Sequence, residues 1–197
     1  MNESKMKKNN KIKILALFGK SGAGKDTILK WLLNKIPNSN KIIYTTTRPK
    51  RENEKQDEDY HFISDKTFYE KFFNEDNFLT ISNFNNWRYG LDKNELKEND
   101  INIGIFSIKD ILRILNNNKE IDILPVYIQA PDRIRLLRSI EREKIPNCKE
   151  ICRRFLADDY DFNTISFDHE IYLNDKDNCD FYGILNRPKV ADFLTSM

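Results

Sequence analysis

The segment GKSGAGKDT, Gly19 to Thr27, stands directly after the apolar run Ile12 to Phe18 and directly before a helical pattern, Asp26 to Ile36. A strand, a phosphate loop and a helix start in that order confine the chain to folds in which a buried strand delivers a tight loop to a helix N-terminus. Gly19, Gly22 and Gly24 let the backbone curl so that the N–H groups of Lys20, Ser21, Ala23 and their neighbours face a polyphosphate, and the helix dipole adds positive potential. Lys25 then reaches the β- and γ-phosphates as a point charge. The pattern G-x-x-x-x-G-K is met, but the usual hydroxyl residue after the lysine is Asp26, with Thr27 one place later. Asp26 and Thr27 are the candidate Mg²⁺ contacts. The carboxylate either reaches the ion or holds one of its waters. Asp26 as a plain helix cap is the alternative.

Composition limits the rest. A chain of 197 residues with 39% hydrophobic content supports one core and a small insertion. The net charge of +2 gives no reason to expect nucleic-acid or membrane partners, although Lys5 to Lys13 is locally basic. Residues 1–10 read as a disordered basic tail. The apolar stretch that follows is too short for a membrane span and lacks a small-residue cleavage site, so the cytoplasm is the expected location. Cys148, Cys152 and Cys179, with only His61 and His169 to join them, suit neither a disulfide framework nor a zinc site.

Strands and helices alternate. Beyond the first pair, Lys41 to Thr45, Ile101 to Phe106, Leu124 to Ile128 and Glu170 to Leu173 read as strands. Ile108 to Leu115, Asp132 to Glu143 and Lys149 to Asp159 read as helices, and a C-terminal helical stretch is broken by Pro188. This is an α/β pattern with a doubly wound parallel sheet, which binds its ligand at the carboxyl ends of the strands. The rhythm changes over 46–93, where a polar loop, a short helix and the strand FLTISNF suggest an insertion with its own small sheet. The core is then 11–45 and 94–197. An arginine-studded stretch at about 138–154 has few apolar residues and suits a lid.

Arg48 and Arg51 follow a threonine run, Tyr60 comes soon after, and Tyr89 closes the insertion. Two permanently charged forked donors and two neutral phenols suit a dianionic phosphate. Arg138 and Arg142 share a helical face, and Arg153 lies on the next helix. Phosphoryl transfer wants such an arrangement, because its loose transition state spreads negative charge over equatorial oxygens.

On these residues the chain resembles the guanylate kinase-type nucleoside monophosphate kinases along nearly its whole length. The phosphate loop, TTTRPKRENEKQDEDYHFIS, FLTISNFNNWRYG, the arginine lid and YLND carry the likeness. The resemblance implies a P-loop parallel sheet flanked by helices, a small mixed insertion that binds the acceptor monophosphate, and ATP with Mg²⁺ as donor. It implies that Gly19 to Thr27 hold the ATP phosphates and that Asn174 lies beside the adenine. Arg48, Arg51, Tyr60 and Tyr89 would hold the acceptor phosphate, with Glu54 near them. Arg138, Arg142 and Arg153 would surround the transferring phosphoryl together with Lys25. A monomer or weak homodimer is expected, with GMP or dGMP the family's default acceptor.

Departures cluster on the base. Thr80 stands where the family has a carboxylate that reads guanine, Tyr44 where it has a serine, and Leu91 where it has a small hydroxyl residue. The middle strand INIGIFS lacks the family's acidic residues. A lost carboxylate costs about 1–3 kcal/mol of discrimination in a desolvated pocket. Altered acceptor specificity is therefore expected, with Asn83, Asn85 or Asn86 as candidate replacements. The G-K-D-[ST] variant also resembles ribose bisphosphate phosphokinases, and a noncatalytic guanylate kinase-like binding domain is a further alternative. Against the latter, Lys25 and all three loop glycines are retained.

Overall fold

The computed structural model describes residues 11–72, 77–142, 144–162, 170–172, 185 and 187–196. The expected basic tail at 1–10, Leu173 and Asn174 lie outside them. Strand β1 (Ile12–Phe18) is the axis of the fold, and its alternation sorts its side chains onto two faces. Leu15 and Leu17 pack with Ile28, Leu32, Val190 and Phe193. Ile14, Ala16 and Phe18 pack with Phe106, Ile111 and Ile114. Both faces are dry, which a central parallel strand requires.

The main sheet adds β2 (Ser39–Lys41), β7 (Ile101–Ile105), β8 (Ile121–Gln129) and β9 (Glu170–Tyr172). Their order is β2-β7-β1-β8-β9, and every pairing is parallel. Successive strands are added on either side of β1, so the loop leaving β1 opens into the crevice where the winding reverses. Helices α1 (Lys25–Lys35), α3 (Ile108–Asn117), α4 (Asp132–Glu141), α5 (Cys148–Phe162) and α6 (Pro188–Thr195) accompany the sheet. None of the helices among the described residues is long and apolar enough to cross a membrane.

A second sheet, ordered β4-β3-β6-β5, contains β3 (Tyr44–Thr46), β4 (Tyr60–Phe62), β5 (Phe78–Phe84) and β6 (Trp87–Asp92). Its strands lie between residues 44 and 92, with α2 (Asp65–Phe72) in the intervening stretch. The β5–β6 hairpin turns at Asn85 and Asn86, both left-handed (φ 50° and 63°), a role asparagine fills readily.

One sequence expectation is corrected. Lys41 to Thr45 is not one strand: β2 ends on β7, the Ile42 N–H makes a last bond to Ile103 O at 2.9 Å, and the chain then crosses to the second sheet. The C-terminal helical stretch is broken at Pro188 as expected: Leu185 is helical, Arg187 is not, and Pro188 opens α6, whose first position has no hydrogen bond for a missing N–H to lose.

Candidate active site

The loop after β1 is shaped by close contact. Gly22 has φ 77° and lies against α4, so that a Cβ there would sit 2.5 Å from Arg135 O. Gly24, with φ 99°, is the N-cap of α1. Both positions demand glycine. Lys25 folds over the loop, donating from Nζ to Gly19 O (2.7 Å) and Lys20 O (3.0 Å). Burial, reinforced by Arg135 and Arg142, holds its ammonium below the usual lysine range against the pull of Asp26 and Asp158. Asp26 and Thr27 are exposed on the first turn of α1.

Helix α5 closes on this loop. Ser21 N–H donates to Asp158 Oδ2 at 2.6 Å, and Lys20 Nζ lies 2.5 Å from Asp159 Oδ1. A carboxylate therefore sits on a backbone N–H of the loop. From α4, Arg138 Nη1 donates to Gly22 O at 3.3 Å.

Just after β3, Arg48 is only 6% exposed and is gripped by Glu54 through Nη1 and Nη2, at 2.9 and 2.7 Å. Glu54 also accepts from the Arg51 N–H at 2.9 Å. Burial alone would raise the Glu54 carboxyl, but the bonds from Arg48 and Arg51 hold it below its ordinary value. Glu54 thus orients the two arginines. Arg48 lies over the rings of Tyr60 (5.3 Å) and Phe62 (5.5 Å), and Tyr60 meets Tyr89 edge-on at 6.1 Å. Burial, with Tyr89 adding to it, pushes the Tyr60 phenol up to about 12, so it remains a neutral donor.

The cations converge. Arg51 is depressed by burial and then by Arg48, Arg154 and Arg142. Arg142 acts on both Lys25 and Arg51, so its charge is felt at the phosphate loop and at the Arg48–Arg51 cluster alike. Arg153 pairs with Glu150 (2.7 and 2.9 Å) and lies over the exposed Phe84 ring at 5.3 Å.

Sequence reasoning missed Arg154, whose signal was helical spacing: it falls three residues after the buried Ile151 and four before Asp158, on one face. It also missed Asp110. That residue, on α3, is 3% exposed, accepts from Ser107 Oγ (2.8 Å), and has its own N–H bonded back to Ser107 Oγ (3.1 Å). Its neighbours are Thr80 and Tyr44, whose buried oxygens Thr80 Oγ1 and Tyr44 OH have no hydrogen-bond partner of ordinary geometry. Burial pushes the Asp110 carboxyl up, with Ser107 and Thr80 pulling against it. Burial, then the Asp110 charge, pushes the Tyr44 phenol well up. Leu91 and Phe106 belong to the apolar cluster around Tyr44, with Phe106 edge-on to it at 5.7 Å. Asn83, Asn85 and Asn86 are exposed.

The profile of the guanylate kinase family matches residues 11–182. A guanylate kinase of Prochlorococcus marinus is 30% identical over 168 residues, covering 82% of this chain and 89% of its own length. One of Malacoplasma penetrans is 29% identical over 181 residues, covering 82% and 88%. The crystal structure of guanylate kinase from Anaplasma phagocytophilum superposes with a TM-score of 0.65 at 16% identity, over 95% of this chain and 86% of that one. With its phosphate loop, second sheet and arginine-bearing helices, the chain belongs to the guanylate kinase family of ATP-dependent phosphotransferases.

Proposed function

We propose that the protein transfers the γ-phosphoryl of ATP to a nucleoside monophosphate, with the donor on the Gly19–Thr27 loop and the acceptor phosphate among Arg48, Arg51, Tyr60 and Tyr89. The observation that carries this reading is the pairing of a glycine-shaped loop under Lys25 with a second cluster in which Glu54 holds Arg48 and the Arg51 backbone, the Arg142 charge being felt at both. A cation felt at two phosphate-binding clusters can neutralise the negative charge that a loose transition state gathers. Lys25 follows the β- and γ-oxygens, Arg138 steadies the loop through Gly22, and Arg142 and Arg154 neutralise the group in transit. The attacking oxygen is an ionised phosphate, so no general base is needed.

Mg²⁺ would be held by Asp26, directly or through a water, with Thr27 beside it. Mg²⁺ keeps most of its waters and takes phosphate oxygens, so one carboxylate of this chain would be enough to place it. It would neutralise charge on the β- and γ-phosphates. Asn174 is kept as the proposed adenine neighbour. The chain would act as a monomer or weak homodimer, and cytoplasmic nucleotide pools would supply both substrates.

The acceptor base differs from the guanine default in this reading. The bulk of Tyr44, Leu91 and Phe106 also favours a second acceptor class, a ribose bisphosphate, which has no base to seat. A coupled ADP-release assay over ribo- and deoxynucleoside monophosphates plus ribose 1,5-bisphosphate separates the two. Turnover of at least one nucleotide is expected. Lys25→Ala should lower kcat by about 10²-fold or more without unfolding the protein. A variant with near-native turnover would remove the kinase reading.

A further inference from the structure

Among the described residues Arg135 is the largest side chain that is fully buried, at 1% exposure, and its Nε, Nη1 and Nη2 all lack hydrogen-bond partners. Among the described residues the carboxylate paired with it, Asp132 Oδ1, is 3.6 Å from Nε, beyond hydrogen-bond reach, and the Asp132 side chain is 64% exposed. The face of Phe155 lies 4.3 Å from the guanidinium carbon. An aromatic face compensates part of a buried cation's lost hydration, and a guanidinium cannot shed its proton to escape the rest. Such a charge is costly to keep unless something pairs with it during function.

Its surroundings say what that is. The Arg135 backbone packs against Gly22 of the phosphate loop, with its Cα 2.9 Å from where a Gly22 Cβ would stand. One turn along α4, Arg138 donates to Gly22 O. Phe155, which carries the guanidinium, is one turn before Asp158, which accepts from Ser21 N–H. The Arg135 charge is felt at Lys25. The elements that meet around Arg135 are therefore those that form and cover the donor loop. We infer that Arg135 is a binding residue for the donor nucleotide, meeting its phosphate chain from the α4 side of the loop, and that the nucleotide supplies the partner the guanidinium lacks. The inference rests on the kinase reading given above.

Arg135→Met keeps the aliphatic bulk and removes the charge; Arg135→Lys keeps the charge and removes the fork. The full-length protein is melted without nucleotide, titrated calorimetrically with ADP, and assayed for the KM of ATP and of the best acceptor. The expected result for Arg135→Met is a melting temperature raised by roughly 2 °C or more, since an unpaired buried charge has gone. Its ADP affinity should fall about 10-fold or more, with the acceptor KM changed by less than about twofold. Arg135→Lys should lie between the two proteins in ADP affinity. A residue that merely packs would give the reverse, a lower melting temperature with unchanged ADP affinity, and either half of that result overturns the inference. An Arg135→Met protein that fails to fold overturns it too. If the wild type binds ADP and Arg135→Met binds it equally well, only the role of Arg135 falls. If the wild type binds no adenine nucleotide, the kinase reading falls and takes this inference with it.

Discussion

Arg153 and Arg154 are adjacent and share the Glu150 carboxylate, yet a helix sends them 100° apart. Arg153 is 41% exposed, and its pair with Glu150 is a solvated contact worth about 0.2–1 kcal/mol. Arg154 is 26% exposed and its charge reaches Arg51. Arg154→Ala should therefore lower kcat by about 10- to 100-fold, whereas Arg153→Ala should stay within about twofold. Steady-state kinetics of the two variants decides it; equal losses would mean that α5 as a whole, and not one face of it, serves the site. The phosphate loop, Arg48, Arg51, Tyr60 and Tyr89 were legible in the sequence because short spacings along the chain fix their geometry. The burial of Arg135 and Asp110, and the reach of the Arg154 charge to Arg51, were not, since these are decided by which face of a helix meets the sheet or the loop.

At the scale of elements, α5 both completes and obstructs the site. Asp158 on the Ser21 N–H occupies a donor that a phosphate oxygen would otherwise take. Asp158→Asn removes the competing charge, so the KM for ATP should fall by about 3- to 10-fold, while the acceptor KM is unaffected. A raised KM for ATP would show instead that the carboxylate holds the loop in its binding shape. The N-terminal end of α5 also carries a pH dependence. Hydrogen bonds from Arg153, with Arg154 adding to them, hold the Glu150 carboxyl down at about 2. A folded value below the unfolded one, about 4.3, gives stability that is complete above pH ~4.3 and is lost as pH falls towards 2. Amide exchange at the start of α5 should quicken over that window, and Glu150→Gln should lack the change. The elements themselves were readable where an apolar run is flanked by turn residues, as in β1. They were misread at Lys41 to Thr45, where tertiary pairing divides one β-prone run between two sheets.

At the scale of the molecule, the two sheets and α3 meet at Tyr44, Thr80 and Asp110. A carboxylate is absent from β5, where the family resemblance would put it, but Asp110 brings one to Thr80 from the first turn of α3. Its Oδ2 accepts from Ser107, and two buried hydroxyl oxygens nearby lack partners of ordinary geometry, so the cluster has hydrogen-bonding capacity left for a ligand. A site built to meet a donor rejects an acceptor without one far more strongly than an apolar pocket rejects extra bulk. Asp110→Asn preserves shape and the Ser107 bond while removing the charge. It should cut kcat/KM for the preferred nucleoside monophosphate by about 10- to 100-fold, leaving ADP affinity and any turnover of ribose 1,5-bisphosphate unchanged. The same acceptor panel reads the result. A nucleotide ranking that survives Asp110→Asn would mean that the base stops short of α3, and that Tyr44, Leu91 and Phe106 act as a wall that sets the size of the acceptor by exclusion alone.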